Sequence, residues 1–303
     1  PIQRDDRFVE KYLEAGMDEG QARYASMVEG IDKSLGDILN YLDDKGIAEN
    51  TAIIFMTDNG GNSENVQKGG VPHTQNLPLR EGKGSVYEGG IRVPLIVCWP
   101  GKVPAGARED TPAIAEDLFP TILDIAGVSY DEPGAIVQEL DGQSLIPGLM
   151  AGGCAGGNAE DGAGSGAGSG ADGSAGVRAE GAVLKGAAKG SAGAGAGSGA
   201  EVGAERALIF HYPHQWKPYR LDDIDYLSAV RKGDWKLVYR MREARLELYN
   251  LREDIGETHD LAAENPQKCA ELATILSDKL REWGSPMPFN PAEGKPVPFP
   301  DEL

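Results

Sequence analysis

The chain has 303 residues, more than the roughly 100 to 200 of a usual single domain, and its 29 Lys and Arg against 48 Asp and Glu give a formal net charge of −19. That balance excludes a phosphate-backbone binder, which needs basic patches, and argues against an anionic membrane surface. No apolar run is long enough to cross a bilayer as a helix, and three cysteines provide no disulfide framework and leave the redox compartment open.

In chain order, Phe8–Lys45 reads as predominantly helical. Met27, Ile31, Leu35, Ile38, Leu39 and Leu42 recur at helical spacing, a stripe expected to pack on a sheet, and Gly46 is placed to end the helix. Thr51–Met56 is a short continuous apolar run that fits a strand covered on both faces. Asp58-Asn59-Gly60-Gly61 follows its carboxyl end, where open α/β sheets place their ligands. A carboxylate and an amide oxygen suit calcium or magnesium better than a soft metal, although the tetrapeptide is also ordinary turn chemistry. Lys83 comes next, between Gly82 and Gly84, where backbone can approach a ligand closely. Its compact charge suits sulfate or phosphate; the other reading is a solvated loop lysine. Arg80 and Arg92 add local positive charge to an acidic chain, although Arg92, leading into the core at Val93 and Pro94, is expected to pair with a carboxylate such as Glu88 rather than to touch substrate, and His73 in the intervening loop reads as a surface or rim histidine.

Val93–Cys98 is a second buried strand, Cys98 included. Asp110-Thr111-Pro112 reads as the entry to a helix that ends before Gly127, with Ile114, Leu118, Ile122 and Ile125 in the core and Pro120 kinking or splitting it. From residue 151 to about 205 the composition turns to Gly, Ala and Ser. Such a tract buries too little apolar surface to offset its ordering entropy, so it reads as a disordered, flexible insertion in which Val183 and Leu184 are too isolated to make a core. Beyond it lie a strand at 207–211, a hairpin of 227–232 and 235–240 around Gly233-Asp234, a strand at 246–251, and a helix from Pro266 to Trp283 with Cys269, Leu272, Ile275, Leu276 and Leu280 on one face. A proline-rich tail from Pro286 should run extended over the surface. His211-Tyr212-Pro213-His214-Gln215-Trp216 gathers two of the four histidines beside a strand end. Rings there offer flat faces to a sugar and histidines offer hydrogen bonds; the alternative is strand-end packing with the histidines bonded to backbone.

Taken as linked blocks, Tyr24–Asp32, Thr57–Gly61, Leu79–Pro94, Leu95-Ile96-Val97 with Trp99–Lys102, Asp117–Leu123, Leu140–Leu145 and Ala229–Leu237 resemble the latter part of a type I, formylglycine-dependent sulfatase, of the arylsulfatase group in the alkaline phosphatase superfamily. The resemblance covers nearly the whole chain outside the insertion. It implies an α/β fold: part of an alkaline-phosphatase-like sandwich with a mixed central sheet over 1–150, the insertion at 151–205, and a smaller α+β subdomain with a four-stranded antiparallel sheet over 206–303. It implies that Asp58 and Asn59 are calcium ligands, with magnesium as the other candidate ion. It also implies that Lys83 contacts the substrate's sulfate as the catalytic cation, with His73, His211 and His214 along the substrate pocket. Relatives that act as phosphatases or phosphodiesterases usually carry Asp-His at this turn, so Asp58-Asn59 favours one hard ion over a two-zinc centre.

The family's nucleophile is a cysteine in a Cys-x-Pro/Ala-x-Arg motif, converted to formylglycine. Here Cys98-Trp99-Pro100-Gly101-Lys102 ends in lysine and sits in a later strand, while Cys154 and Cys269 have no such context. The chain opens at Pro1 without a leader, so it is expected to be the C-terminal portion of a longer enzyme whose preceding part holds the formylglycine, and to be inactive alone. The expected function is hydrolysis of a sulfate monoester, on a small molecule or, better, a glycan, with no nucleic-acid or membrane partner. The resemblance implies a periplasmic or secreted location. A phosphomonoesterase or phosphonate hydrolase of the same superfamily, and a non-catalytic binding module derived from the fold, are the alternatives; oligomeric state is not readable.

Overall fold

The computed structural model describes residues 3–62, 76–130, 138, 140–151, 182–188, 206–215, 222–291 and 293–303. The chain opens with two helices, α1 (Val9–Glu14) and α2 (Glu19–Asp44). The Asp18 carboxylate accepts from the Gly20 and Gln21 amides at 2.9 and 3.0 Å, capping donors that the first turn of α2 leaves open. Gly46 follows the other end with φ +66°, the left-handed turn that a glycine adopts at no steric cost. The packed face of α2 is the small-residue row Ala22, Ser26 and Gly30. The Asp5 amide donates to the Ser26 hydroxyl, and a Cβ on Gly30 would stand 2.7 Å from the Asp5 carboxylate. The apolar stripe expected to pack on the sheet does not do so: Met27, Ile31 and Ile38 are exposed and edge an open groove with Phe55. Close approach of the N-terminal segment selects the small residues at Ser26 and Gly30, and the larger side chains edge the groove beside it.

Strand β1 (Ile53–Met56) pairs antiparallel with β2 (Val93–Cys98), which follows the short α3 (Glu88–Ile91). All four residues of β1 are half-buried rather than covered on both faces. β2 alternates instead: Val93, Leu95 and Val97 are buried, and Cys98 is half-buried at the strand's end. Beyond these lie β3 (Arg108–Glu109), β4 (Ala113–Ile114), α4 (Leu118–Ala126), α5 (Ile146–Ala151) and β5 (Ala182–Ala188). The sheet runs β1-β2-β5-β3 with β4 also on β5; β2 and β5 are antiparallel, while β3 and β4 lie parallel to β5. It is therefore mixed. Its register breaks at Val93/Pro94, where proline has no amide to give a ladder.

Two expectations for this half need correction. Ala182–Ala188 lies inside the tract read as a disordered insertion, yet it joins the sheet between β2 and β3, because the ladder bonds backbone groups and asks little of side-chain size; the remainder of 152–205 lies outside the described residues. No helix begins near Asp110 either. Ala113 and Ile114 are in a strand, and Asp117, fully buried, accepts from the Ile114 and Gln143 amides, both at 2.8 Å, and pairs with Arg206 at 2.7 Å. The helix starts after that knot, so Pro120 falls in its first turn, where a missing amide costs nothing and no kink is required. Ile122 is left exposed.

The C-terminal part follows its pattern closely. β6 (Ala207–Tyr212), β7 (Leu227–Lys232), β8 (Trp235–Arg240) and β9 (Arg245–Asn250) form an antiparallel meander in that order. Lys232 pairs with Trp235 around Gly233, which takes φ +57°. Alternation gives the sheet two working faces. Ile209, Val230, Leu237, Tyr239 and Leu248 pack against α6 (Pro266–Glu282) through Leu272, Leu276 and Leu280. On the opposite face Leu208, Phe210, Ala229, Val238 and Tyr249 pack against Val86, Tyr87 and Ile114. The loop that carries Lys83 therefore rests on the back of the C-terminal sheet. The tail after Pro286 closes as a small hairpin, β10 (Phe289–Asn290) and β11 (Lys295–Pro296), and buries Val297 in the α6 core.

Candidate active site

Two loops meet at the end of β1. The Gly60 amide donates to the Gly90 carbonyl at 2.9 Å, the Lys83 amide to the Gly61 carbonyl at 3.0 Å, and the Asn76 side-chain amide to both the Gly61 and Glu81 carbonyls at 2.9 Å. The approach is close enough that a Cβ on Gly60 would lie 1.7 Å from the Gly89 carbonyl oxygen, so only glycine fits. This main-chain lacing brings Asp58, Asn59 and Lys83 to one open cleft of 290 Å³, whose other walls include Ser85, Phe210, His211 and Tyr212.

The three side chains differ in how they are tied. The Asp58 carboxylate is exposed and has no partner among the described residues. The Asn59 amide nitrogen donates to the Gly60 carbonyl at 2.9 Å, which leaves its side-chain oxygen as the available donor to a cation. Lys83 is exposed, with its ammonium unpaired among the described residues. No cluster of three or more His, Cys, Asp or Glu forms a metal site among the described residues. Asp58 and Asn59 supply two hard oxygens, the atom type that calcium and magnesium take.

Arg80, read from sequence as local charge for an anion, is turned inward, and so is Arg92, whose pairing with a carboxylate such as Glu88 was expected. Arg92 pairs with Glu88 at 2.5 Å. Arg80 lies over the Tyr87 ring, 3.8 Å from its centroid, and donates to the Tyr249 hydroxyl at 3.1 Å and to the Glu257 carbonyl at 3.3 Å. It also reaches Asp223 at 3.3 Å, while the Ser85 hydroxyl donates to the Asp223 carbonyl at 2.6 Å. The Lys83 loop is thus clamped on both flanks to one aspartate. Burial works against the Asp223 charge, but Arg240 and Arg80 outweigh it and hold the carboxyl below its ordinary range.

Beneath the loop, Lys236 is fully buried between Glu88 at 2.9 Å and Glu257 at 2.7 Å, the second contact lying off hydrogen-bond alignment. The Glu88 amide donates to the other Glu257 oxygen at 2.6 Å. Burial pushes the Glu88 carboxyl up, yet Lys236 and Arg92 bring it down to about 2. Burial also leads for Glu257, which with the neighbouring Glu88 charge carries it to about 7 against the pull of Lys236.

His211 lines the cleft, but both ring nitrogens are engaged. Nε2 contacts the Pro286 carbonyl at 3.1 Å and so must donate, which makes Nδ1 the acceptor of the Ser228 hydroxyl at 2.6 Å. Burial lowers its pKa and favours this neutral form. His214 is exposed and stacks on Tyr212 with centroids 4.0 Å apart; it is not part of the cleft wall. His73 lies outside the described residues. Sequence reasoning missed Asp223, Lys236 and Glu257. Their partners in the segment from Arg80 to Glu88 are 138 to 177 residues away along the chain, and no local motif marks them.

Comparison with known proteins gives one consistent picture. Residues 1–128 match the family model described as Sulfatase. A sulfatase of Formosa agariphila is 31% identical over 274 residues, covering 87% of this chain and 39% of that protein. The steryl-sulfatase of Homo sapiens is 40% identical over 125 residues, 41% of this chain and 21% of that protein. The crystal structure of Ps i-CgsB in complex with k-i-k-neocarrahexaose superposes with a TM-score of 0.63 at 23% identity, over 94% of this chain and 47% of that one. The chain spans less than half the length of each of these relatives.

Proposed function

The chain belongs to the sulfatase family of the alkaline phosphatase superfamily, and from that premise we propose that it serves the hydrolysis of a sulfate monoester carried on a carbohydrate. The observation that carries this reading is the convergence of Asp58, Asn59 and Lys83 on one cleft. Asp58 and Asn59 would hold a calcium ion, or magnesium in its place; such an ion, when bound, neutralises charge on the transferring group. Lys83 holds a sulfate oxygen, and because its ammonium has no partner among the described residues it is available to do so. The clamp through Arg80, Ser85 and Asp223 fixes the loop before substrate arrives, which is what electrostatic preorganisation requires.

His211 forms part of the wall; with both ring nitrogens bonded internally it neither accepts nor delivers a proton in this arrangement. The 303 residues contain no Cys-x-Pro/Ala-x-Arg, so the reading assigns the formylglycine nucleophile to sequence outside them, and a polypeptide of these residues alone should not turn over. A sugar fits better than a sterol because the cleft is open, with aromatic and polar groups in its wall, whereas an apolar ligand calls for an enclosed apolar pocket. The relatives' family resemblance also supports a location outside the cytoplasm.

The test is an assay of the full-length protein on sugar sulfates, a steryl sulfate and the matching phosphate monoesters. Turnover of sugar sulfates, lowered roughly 10² to 10³-fold by Lys83→Ala as for loss of one transition-state contact, supports the reading. Preference for the phosphate esters, or full activity in Lys83→Ala, overturns it.

A further inference from the structure

Glu257 stands at the root of the Lys83 loop and touches both of its ends. Its backbone carbonyl accepts from the Arg80 guanidinium at 3.3 Å, and its carboxylate accepts from the Glu88 amide at 2.6 Å. Arg80 and Glu88 flank the point where the loop closes on itself. There the Gly89 amide donates to the Arg80 carbonyl at 2.7 Å, and a Cβ on Gly89 or Gly90 would stand 2.2 Å from the Glu81 or the Ser85 carbonyl oxygen, respectively. One further bond, from the Gly60 amide to the Gly90 carbonyl at 2.9 Å, leads to the Asp58–Asn59 turn. A single residue of the C-terminal portion thus holds the closure on which the spacing between the Lys83 ammonium and that turn depends.

The segment that carries Glu257 is itself tied down. The Asp254 carboxylate accepts from the Thr258 and His259 amides at 2.7 and 2.8 Å and from the Thr258 hydroxyl at 3.0 Å, and the Asp254 carbonyl accepts from the Glu257 amide at 3.2 Å. Gly256 presses on the segment before the loop: a Cβ there would stand 2.9 Å from the Pro78 carbonyl oxygen. Glu257 takes φ +52°, a conformation that costs a non-glycine residue and persists only where its surroundings enforce it. Glu81, on the other side of the closure, takes φ +59°. Lys236 has Glu88 as a hydrogen-bonded partner at 2.9 Å without Glu257. The well-aligned bond of the buried Glu257 carboxylate goes to the Glu88 amide instead, at the loop's end.

We propose that Glu257 is a positioning residue for the anion site: bound to both ends of the Lys83 loop, it fixes where the Lys83 ammonium stands relative to the Asp58–Asn59 turn, and so makes the hold on the anion depend on the C-terminal portion. It touches no substrate and acts through Lys83. The inference rests on the sulfatase reading of the Lys83 cleft.

The test uses the full-length protein with Glu257→Met, which fills similar space without an acceptor, and Glu257→Gln, which keeps an oxygen for the Glu88 amide. Burial and the neighbouring Glu88 charge carry the Glu257 carboxyl up to about 7, so the site already accommodates a neutral group, and Lys236 keeps Glu88 in both variants. Glu257→Met should lower kcat/KM on the sugar sulfate about 10 to 100-fold, the scale of an ångström's misplacement of a reacting group. It should weaken inorganic sulfate about tenfold by titration calorimetry, and Glu257→Gln should recover most of both losses. In a Lys83→Ala background Glu257→Met should cost about threefold or less in kcat/KM, because the group it positions is gone. Losses that multiply in full, a Glu257→Gln protein as impaired as Glu257→Met, or unchanged sulfate affinity in Glu257→Met overturn the proposal. Should Glu257→Met fail to fold, Glu257→Asp, which keeps the charge but draws the carboxylate back from the Glu88 amide, carries the same expectations. If no sulfate ester is turned over, the sulfatase reading fails and calorimetry alone decides the positioning role: sulfate affinity lost in Glu257→Met and recovered in Glu257→Gln upholds it, and equal affinity in all three proteins sinks it.

Discussion

At Asp58 and His211 two polar side chains share one cleft with opposite degrees of freedom, and that difference determines how each responds to change. Asp58 is exposed and unpartnered among the described residues, so removing it should leave the ion-free fold within about 0.5 kcal/mol of the parent. Its loss should appear only with the metal. Calcium at 100 times its dissociation constant stabilises a protein by about 2.7 kcal/mol, and thermal melts of full-length Asp58→Ala should show little of that shift; a calcium response equal to the parent's would count against Asp58 as a ligand. His211 is fixed at both nitrogens and held neutral by burial. The pH–rate profile of His211→Gln should therefore follow the parent's near neutrality, with a lower Tm from the lost hydrogen bonds, about 1 kcal/mol each. A displaced acidic limb in that variant would show that the imidazole titrates during turnover. The meeting of Asp58, Asn59 and Lys83 in one cleft could be expected, because the glycines beside them let the two loops approach closely. Local sequence held for Arg92, whose partner Glu88 is four residues away, and misled for Arg80, because a cation's partner can be more than a hundred residues distant.

Elements were legible wherever pattern and punctuation coincide. β2 takes the bounds of its apolar run, the β7–β8 hairpin turns at Gly233-Asp234, and α6 begins at its proline. The helix expected from Asp110 failed because one buried aspartate, Asp117, takes the amides that a helix start would leave open and ties them to Arg206, a partner no local window contains. Glycine positions provide a paired test. Gly60→Ala puts a methyl 1.7 Å from a main-chain oxygen and should cost about 4 kcal/mol or more, the tail of the distribution for point changes, with loss of ligand binding. Gly36→Ala in α2 meets nothing within 4 Å and should stabilise by about 0.5 to 1 kcal/mol. Chemical denaturation reads both; equal effects would dismiss the close-approach argument. The Glu88–Lys236–Glu257 group gives α3 and β8 a pH response. Glu88, held near 2, contributes stability that is present above 4.5 and fades as pH falls through 2. Glu257, raised from 4.5 to about 7, contributes in the opposite sense, with stability present below 4.5 and lost as pH rises through 7. Stability of the parent relative to Glu257→Gln should therefore decline between pH 5 and 8, by about 3 kcal/mol at most. A difference that is flat across that window would remove Glu257 as the titrating group. Arg92 and Arg231 also face Glu88 there.

Across the whole molecule, the net charge of −19 opposes the approach of an anionic sugar, while the local charge of Lys83 attracts it at contact. The Debye length falls from about 30 Å at 0.01 M salt to about 8 Å at 0.15 M, so screening removes the long-range repulsion first. Stopped-flow association of a sulfated tetrasaccharide should accelerate with added salt over that range; a rate that falls steadily would mean that a positive field dominates the approach. The mixed sheet and the antiparallel four-stranded C-terminal sheet are those that the family resemblance implied. How the portions meet could not be read in advance, because the contact joins segments remote in sequence, through the apolar cluster around Tyr87 and the paired charges beside it. That junction limits recombination between related enzymes. Glu88 and Lys236 are 148 positions apart, so a crossover placed between them separates the two genes' halves of one buried ion cluster. A hybrid that inherits only one of them would enclose an uncompensated charge, at a cost of about 3 to 5 kcal/mol, and viable chimeras should be those in which both travel from the same parent.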